Sequence, residues 1–240
     1  MLKHKVSLIS LSAFLSVGGT AGGCAITYKM AGYDAVLSFF MFGASIVVAL
    51  LAMQMILAIK SEKRTAYLVL FNMTFILGLV WFMLCLILPM FWLPSIGASA
   101  KLSLFLASLG FCLVNISRGL EMFKSRWAQV GVELLSKFYD RKRKAIDWEA
   151  VVAKLRMSSS IYIPGVPSKL NHLISVAIII SMVAGLSLRN AFPLFSFFAW
   201  GVPMVIVVSL VMQMIGAAIG QFLEVTALER KDGDVIRPME

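Results

Sequence analysis

The chain has 240 residues, 60% of them hydrophobic, with 22 Lys and Arg against 12 Asp and Glu. Soluble domains use roughly 45–50% apolar residues, so this excess, with a mean hydropathy of +0.90, excludes a soluble globular fold and points to an all-α integral membrane protein. The formal net charge of +10 does not call for nucleic acid, because the basic residues gather beside apolar runs, where anionic inner-leaflet lipids attract them.

A bilayer core about 30 Å thick needs about 20 helical residues. Six apolar segments of about that length are predicted as spans: 6–27, 36–59, 66–92, 98–117, 172–188 and 194–222. The first follows a Lys3-His4-Lys5 tip and has small residues before Cys24, a pattern similar to a signal peptide, even a lipoprotein one. Ala21, however, stands where a lipoprotein signal normally carries Leu. A retained anchor helix is the simpler account, with Gly18, Gly19, Gly22 and Gly23 spaced as two Gly-xxx-Gly faces that pack closely on a neighbour.

The second segment carries no charge, and Gln54 is its one strongly polar side chain. The third contains Asn72 and Thr74 and ends in Phe91 and Trp92, which with Phe197 and Trp200 fit an aromatic belt at the outer interface. The fourth has Lys101 near its start, where a long side chain can snorkel to the head groups, and Asn115 near its end.

Residues 118–171 form a basic cytoplasmic loop, expected to be a small helical hairpin. Leu120, Phe123, Trp127, Val130, Leu134 and Phe138 recur at steps of three and four, which is one apolar stripe of an amphipathic helix continuing from the fourth span. The stripe needs a cover: the lipid interface, another part of this chain or its twin, or a foreign protein. Arg141, Lys142, Arg143 and Lys144 favour an anionic surface. Asp147 can then cap a second short helix over 148–156. Ser158, Ser159 and Ser160, followed by Pro164 and Pro167, turn the chain towards the fifth span.

The fifth span begins at His172. In the sixth, Pro203 removes a helix donor and Gly201 adds looseness, which marks this segment as the candidate hinge. Gln213 lies inside this segment. Residues 223–240 are read as a cytoplasmic tail with a solvated turn at Gly233, between Asp232 and Asp234. The resulting organisation is a four-helix membrane region at 1–117, the basic loop at 118–171, a two-helix membrane region at 172–222 and the tail.

Alternating these spans from a cytoplasmic N-terminus leaves every Lys and Arg on one side except Lys29, Lys101 and Arg189. That partition obeys the positive-inside rule and places both termini in the cytoplasm of a bacterial inner membrane.

Chemical signatures are sparse. Proton relays and secondary transporters usually hold titratable groups within the membrane, and here only Lys101 and His172 approach it. His4 and His172 are too few for a metal cluster or a nucleophile with its base. No phosphate-binding loop or dinucleotide fingerprint occurs, so no catalytic residue, metal or cofactor is assigned. Cys24, Cys85 and Cys112 lie within spans without CxxC spacing and are expected to be reduced.

Gln54, Asn72, Thr74, Asn115 and Gln213 are expected to hydrogen-bond between helices. A pore lining is the sharper alternative. The favoured function is therefore a non-enzymatic polytopic protein that binds a protein partner or its own copies, such as a component of an envelope secretion or transfer machine, or an immunity or exclusion factor. The alternative is an oligomeric channel or small transporter with a path lined by Asn72, Thr74 and Gln213.

Overall fold

In a low-dielectric surrounding every backbone group must be satisfied internally, so each long apolar run is driven to be a helix. The computed structural model describes residues 2–157 and 160–239, without the side chains of 2–4 and 168. Lys3, His4 and the break at Ser158 and Ser159 therefore lie wholly or partly outside the described residues.

The helices are α1 (Leu2–Ala31), α2 (Tyr33–Lys60), α3 (Thr65–Leu84), α4 (Ala98–Phe138), α5 (Trp148–Leu155), α6 (Asn171–Ser187) and α7 (Pro193–Asp232). Among the described residues, α1, α2, α3, α4 and α7 are long and apolar enough to cross a membrane, and α6 is a shorter apolar helix of 17 residues. The chain is an all-α membrane protein.

Gly32, at φ 83, lets α2 start directly after α1. The third apolar segment is not one helix to residue 92, because α3 stops at Leu84 and a separate 3-10 turn spans Leu88–Trp92. Pro89 causes the break: it has no N–H to give to the carbonyl four residues back, and its ring clashes there. The Leu86 carbonyl freed by this break accepts the Trp200 indole N–H at 2.9 Å.

Pair contacts fix the helix directions. Lys5 Nζ donates to the Ala58 carbonyl while Gly43 meets Thr20, so α1 and α2 are antiparallel. The Trp81 indole donates to Thr20 Oγ1 at 3.0 Å, and Gly78 faces Ser12, so α3 runs parallel to α1. Arg64 meets Glu229 at one end and Trp200 meets Leu86 at the other, which makes α7 antiparallel to α3. Gly201 packs on Leu104 and Gly220 on Phe123, so α4 and α7 are parallel.

One end of the molecule thus gathers the start of α1, the α2–α3 loop and the second halves of α4 and α7. This is the basic end. The opposite end gathers Gly32, residues 85–97 and residues 188–192.

The α4–α7 interface is built on small residues. A side chain at Gly119 would collide with the Gln213 carbonyl, and one at Gly216 with the Ile116 carbonyl, so only glycine lets the two backbones touch. Gly201 has the same role against Leu104, where a Cβ would come within 2.6 Å.

Gly201 and Pro203 are the hinge candidates of α7. Both are buried, and α7 continues through Pro203 as one 40-residue helix. The carbonyl that Pro203 leaves without a donor, that of Ala199, accepts the Ser181 hydroxyl of α6 at 2.8 Å. Ser196 returns a hydroxyl to the Gly185 carbonyl, clipping α6 antiparallel to α7.

The glycines of α1 divide. Gly19 and Gly23 are buried against Phe82 and Phe39, whereas Gly18 and Gly22 are exposed with nothing within 4 Å of a modest side chain. The expected packing face is therefore only half used within the chain, because the two Gly-xxx-Gly pairs point about 100° apart on a helix of 3.6 residues per turn.

Candidate functional site

At 41 and 40 residues, α4 and α7 are each about 60 Å long, twice the thickness of a bilayer core. Their second halves carry a small module. It comprises α5, the strands β1 (Tyr139–Asp140), β2 (Ala145–Ile146) and β3 (Arg237–Pro238). β1 and β2 pair antiparallel, and β3 joins β2 in parallel.

The apolar stripe of α4 is covered from within the chain. Phe123 is fully buried and Leu134 nearly so, while Leu120, Trp127, Val130 and Phe138 are half-buried. Against the stripe sit Trp148, Val151 and Leu155 of α5, Val225 of α7 and Ile236 of the tail. Cover from within the chain is near complete at Phe123 and Leu134 and partial at the other four residues. The reason is that α5 has its own apolar face and is short enough to fold back on α4.

Trp127 stacks on Phe123 with ring centroids 5.8 Å apart and tilts against Trp148 at 5.7 Å. Gly131 leaves room for the Trp127 ring, which would lie 2.8 Å from a Cβ there. The Trp148 N–H finds Gln221 Oε1 at 3.2 Å.

Local capping explains α5. The Asp147 carboxylate accepts the Ala150 N–H at 3.0 Å, as expected of an N-cap. At the other end Arg156 turns left-handed (φ 49), and Arg126 Nε donates to the Leu155 carbonyl at 3.1 Å. That guanidinium satisfies an acceptor that the helix end leaves open.

The tail is not a free solvated segment. α7 runs to Asp232, ends on the left-handed Gly233 (φ 66), and the chain then folds back. The Thr65 N–H donates to the Ile236 carbonyl at 2.9 Å, and the Arg237 N–H to the Lys144 carbonyl at 2.9 Å. The two tail acids are engaged by the module: Asp232 accepts the Tyr139 hydroxyl and Asp234 pairs with Lys144 Nζ at 2.7 Å. Burial first, and then the Asp232 carboxylate, push the Tyr139 hydroxyl up to about 12. The Lys144 ammonium holds the Asp234 carboxyl below its ordinary value.

Arg64 and Glu229 join the module to α3. Arg64 Nη2 and Nε reach Glu229 Oε2 at 2.6 and 3.0 Å, a forked pair with the carboxylate almost buried. Sequence reasoning missed this pair, since nothing local links residues 165 positions apart.

The four basic residues at 141–144 form the tip of the β1–β2 hairpin. Asp140 Oδ1 accepts the Lys142 and Arg143 N–H groups at 3.0 and 3.2 Å, an Asx turn that rigidifies the tip. Arg141, Lys142 and Arg143 are exposed, and Lys144 is half-buried against Asp234.

The polar residues of the apolar helices have separate roles. Gln213 Nε2 donates to Asn115 Oδ1 at 2.6 Å and to the Ser160 carbonyl at 2.9 Å, and Asn115 Nδ2 donates to the Phe111 carbonyl. With Arg118 over the Tyr162 ring at 5.4 Å, this pair clamps the linker onto α4 and α7. Thr74 is buried and donates to the Phe71 carbonyl. Asn72 lines a cavity of 490 Å³ between α3, α5 and α7. Ser12, Ser16 and both polar atoms of Gln54 are buried without a hydrogen-bond partner among the described residues.

Of the two groups that approached the membrane in sequence, His172 is exposed in the first turn of α6, and Lys101 is half-buried in the first turn of α4. Cys24, Cys85 and Cys112 are free thiols. Among the described residues, no three His, Cys, Asp or Glu side chains lie together as a metal site. Comparison with protein-family models, curated proteins and solved structures gives no match for this chain.

Proposed function

We propose that this chain is a non-enzymatic, multi-pass protein of a bacterial inner membrane whose basic-end module docks a protein partner in the cytoplasm. The observation that carries this reading is the pair of parallel helices about twice as long as a bilayer is thick, capped by a self-covered module whose exposed tip is basic. A rigid end of this kind presents a surface at the cytoplasmic face of the membrane. With its apolar stripe already covered, the surface it offers is charged.

Six crossings with both termini cytoplasmic accommodate the helix directions. The parallel pairing of α4 and α7, with α6 antiparallel to α7, supports a crossing by α6 between them. A component of an envelope secretion or transfer machine, or an immunity or exclusion factor, would suit such a protein.

Photocrosslinking in native membranes tests this reading, with the reactive residue placed at Lys142 in the hairpin tip and at Leu106 on the apolar face of α4. One adduct of defined mass from position 142 and none from position 106 is expected. Adducts from neither position, with function intact, would sink it.

A channel is the second reading, favoured by the unpartnered Ser12, Ser16 and Gln54 side chains inside the α1–α3 bundle. Such groups cost about 1–3 kcal/mol each when left dry, so a water path would relieve them. Thr74 and Gln213 are committed to internal hydrogen bonds. Solute flux through liposomes that is lost in Gln54→Leu and kept in Asn72→Leu would establish this path.

A further inference from the structure

Five cations from three separate parts of the chain line one cleft of 890 Å³ at the basic end: Lys63 and Arg64 from the α2–α3 loop, Arg143 and Lys144 from the hairpin, and Arg237 from β3. Two acids also line it, Glu62 and Asp234, and both are already engaged. Glu62 lies 3.5 Å from Lys5, and Asp234 2.7 Å from Lys144.

Arg64 is held by Glu229. That leaves Lys63, Arg143 and Arg237 as a surplus. Arg143 touches Asp140 only at 3.7 Å with its side chain 85% exposed, and neither Lys63 nor Arg237 has an ion-pair partner among the described residues. Three cations held by at most weak pairing and brought together by folding repel one another unless an anion joins them.

Depth identifies the source of that anion. Ile56 and Ile59, on the last turns of α2, are 54% and 70% exposed, an apolar surface suited to acyl chains. Lys60 and the loop 61–64 follow at once. Lys60 and Arg64 also lie 5.8 and 5.4 Å from the Tyr67 ring, an aromatic in the position of a membrane-interface anchor. The cleft therefore opens at the level of lipid phosphates, and basic pockets between membrane helices hold anionic head groups through charge and hydrogen bonds.

We propose that this cleft binds a phosphate-bearing anion, supplied by the head group of an anionic phospholipid. The bound phosphate adds a further bridge between the α2–α3 loop, the hairpin and the tail, which already meet through the β2–β3 pairing, the Thr65–Ile236 hydrogen bond and the Lys144–Asp234 pair. Lipid composition would then set how firmly the module is seated on the membrane helices.

Native mass spectrometry of the full-length protein in detergent tests this, with phosphatidylglycerol, phosphatidylcholine and inorganic phosphate as separate probes. The cleft variant is Lys63→Gln/Arg143→Gln/Arg237→Gln. The control, Lys124→Gln/Lys154→Gln/Lys231→Gln, removes the same charge outside the cleft. Retention of one phosphatidylglycerol, weakened on the order of 100-fold in the cleft variant and little in the control, is the expected result, from about 1 kcal/mol per cation.

If the triple variant does not fold, the single exposed change Arg143→Gln should still weaken binding about fivefold, again from about 1 kcal/mol for one cation. Equal affinity for inorganic phosphate would keep the anion site and overturn the lipid as its source. Equal weakening in the cleft and control variants, or phosphatidylcholine binding as tightly as phosphatidylglycerol, would overturn the site.

Discussion

The first and second halves of α4 and α7 share one interface but have different exteriors. Glycine makes room along both halves: at Gly119 and Gly216 the backbones meet, and at Gly201 and Gly220 the Leu104 and Phe123 side chains are admitted. On the first half of α4, Leu102, Phe105, Leu106, Leu109 and Leu113 stay exposed. On the second half, Phe123 and Leu134 of the apolar stripe are buried, and Trp127, Val130 and Phe138 half-buried, against α5, α7 and the tail. Exposed apolar area costs about 25 cal/mol per Å² in water, so the first half of α4 suits lipid, whereas on its second half Val132 alone among the large apolar residues stays exposed.

The changeover is sharp. Val114 is the last exposed large apolar residue before Arg118, and between them Asn115 joins Gln213 and the linker carbonyls. A buried amide pair there gives the returning linker polar partners where α4 loses its exposed apolar face.

The largest effect is expected where the two halves share backbone contact. Gly119→Leu or Gly216→Leu should cost 3 kcal/mol or more, about the upper range of overpacking, and abolish recovery of folded protein by size exclusion. Gly18→Leu and Gly22→Leu, on the open face of α1, should leave it unchanged. Next, Phe123→Ala should destabilise the module by about 3–5 kcal/mol and expose residues 139–157 to limited proteolysis. Phe105→Ala, on the lipid-exposed half, should do neither, and equal damage from both would erase the contrast between the halves.

Glu229→Gln breaks a pair whose carboxylate is buried and whose guanidinium is one-third exposed. About 1–3 kcal/mol is expected, less than for a fully buried pair, read as a lower Tm in detergent. Alkaline pH has a smaller and directional effect. The folded Tyr139 hydroxyl, raised to about 12, keeps its proton above the unfolded value of about 10. Its stabilisation is therefore whole below pH 10 and lost as pH rises towards 12. Tyr139→Phe should flatten that decline in Tm.

Much of the helical layout was legible because apolar length and charge placement are local signals. The Asp147 cap and the continuation of α4 past residue 117 followed from pattern alone. The α3 end was misplaced because the composition of 85–92 stays apolar while Pro89 breaks the backbone. The cover of the stripe was unreadable for a different reason: an amphipathic helix states that it needs a partner and never which one. Tail docking depends on β3, a two-residue parallel strand with no periodicity to read, and on Arg64 finding Glu229 across the fold. The five-cation cleft was visible only as scattered basic residues until folding brought the three segments together.

Cysteine accessibility tests the placement of the basic-end module most directly. With Cys24, Cys85 and Cys112 replaced, single cysteines at Ser136 and Ser95, both exposed, are treated in intact cells with a membrane-impermeant thiol reagent. Modification at 95 with protection at 136 until the cells are opened is the result predicted. Modification at 136 with protection at 95 would contradict it.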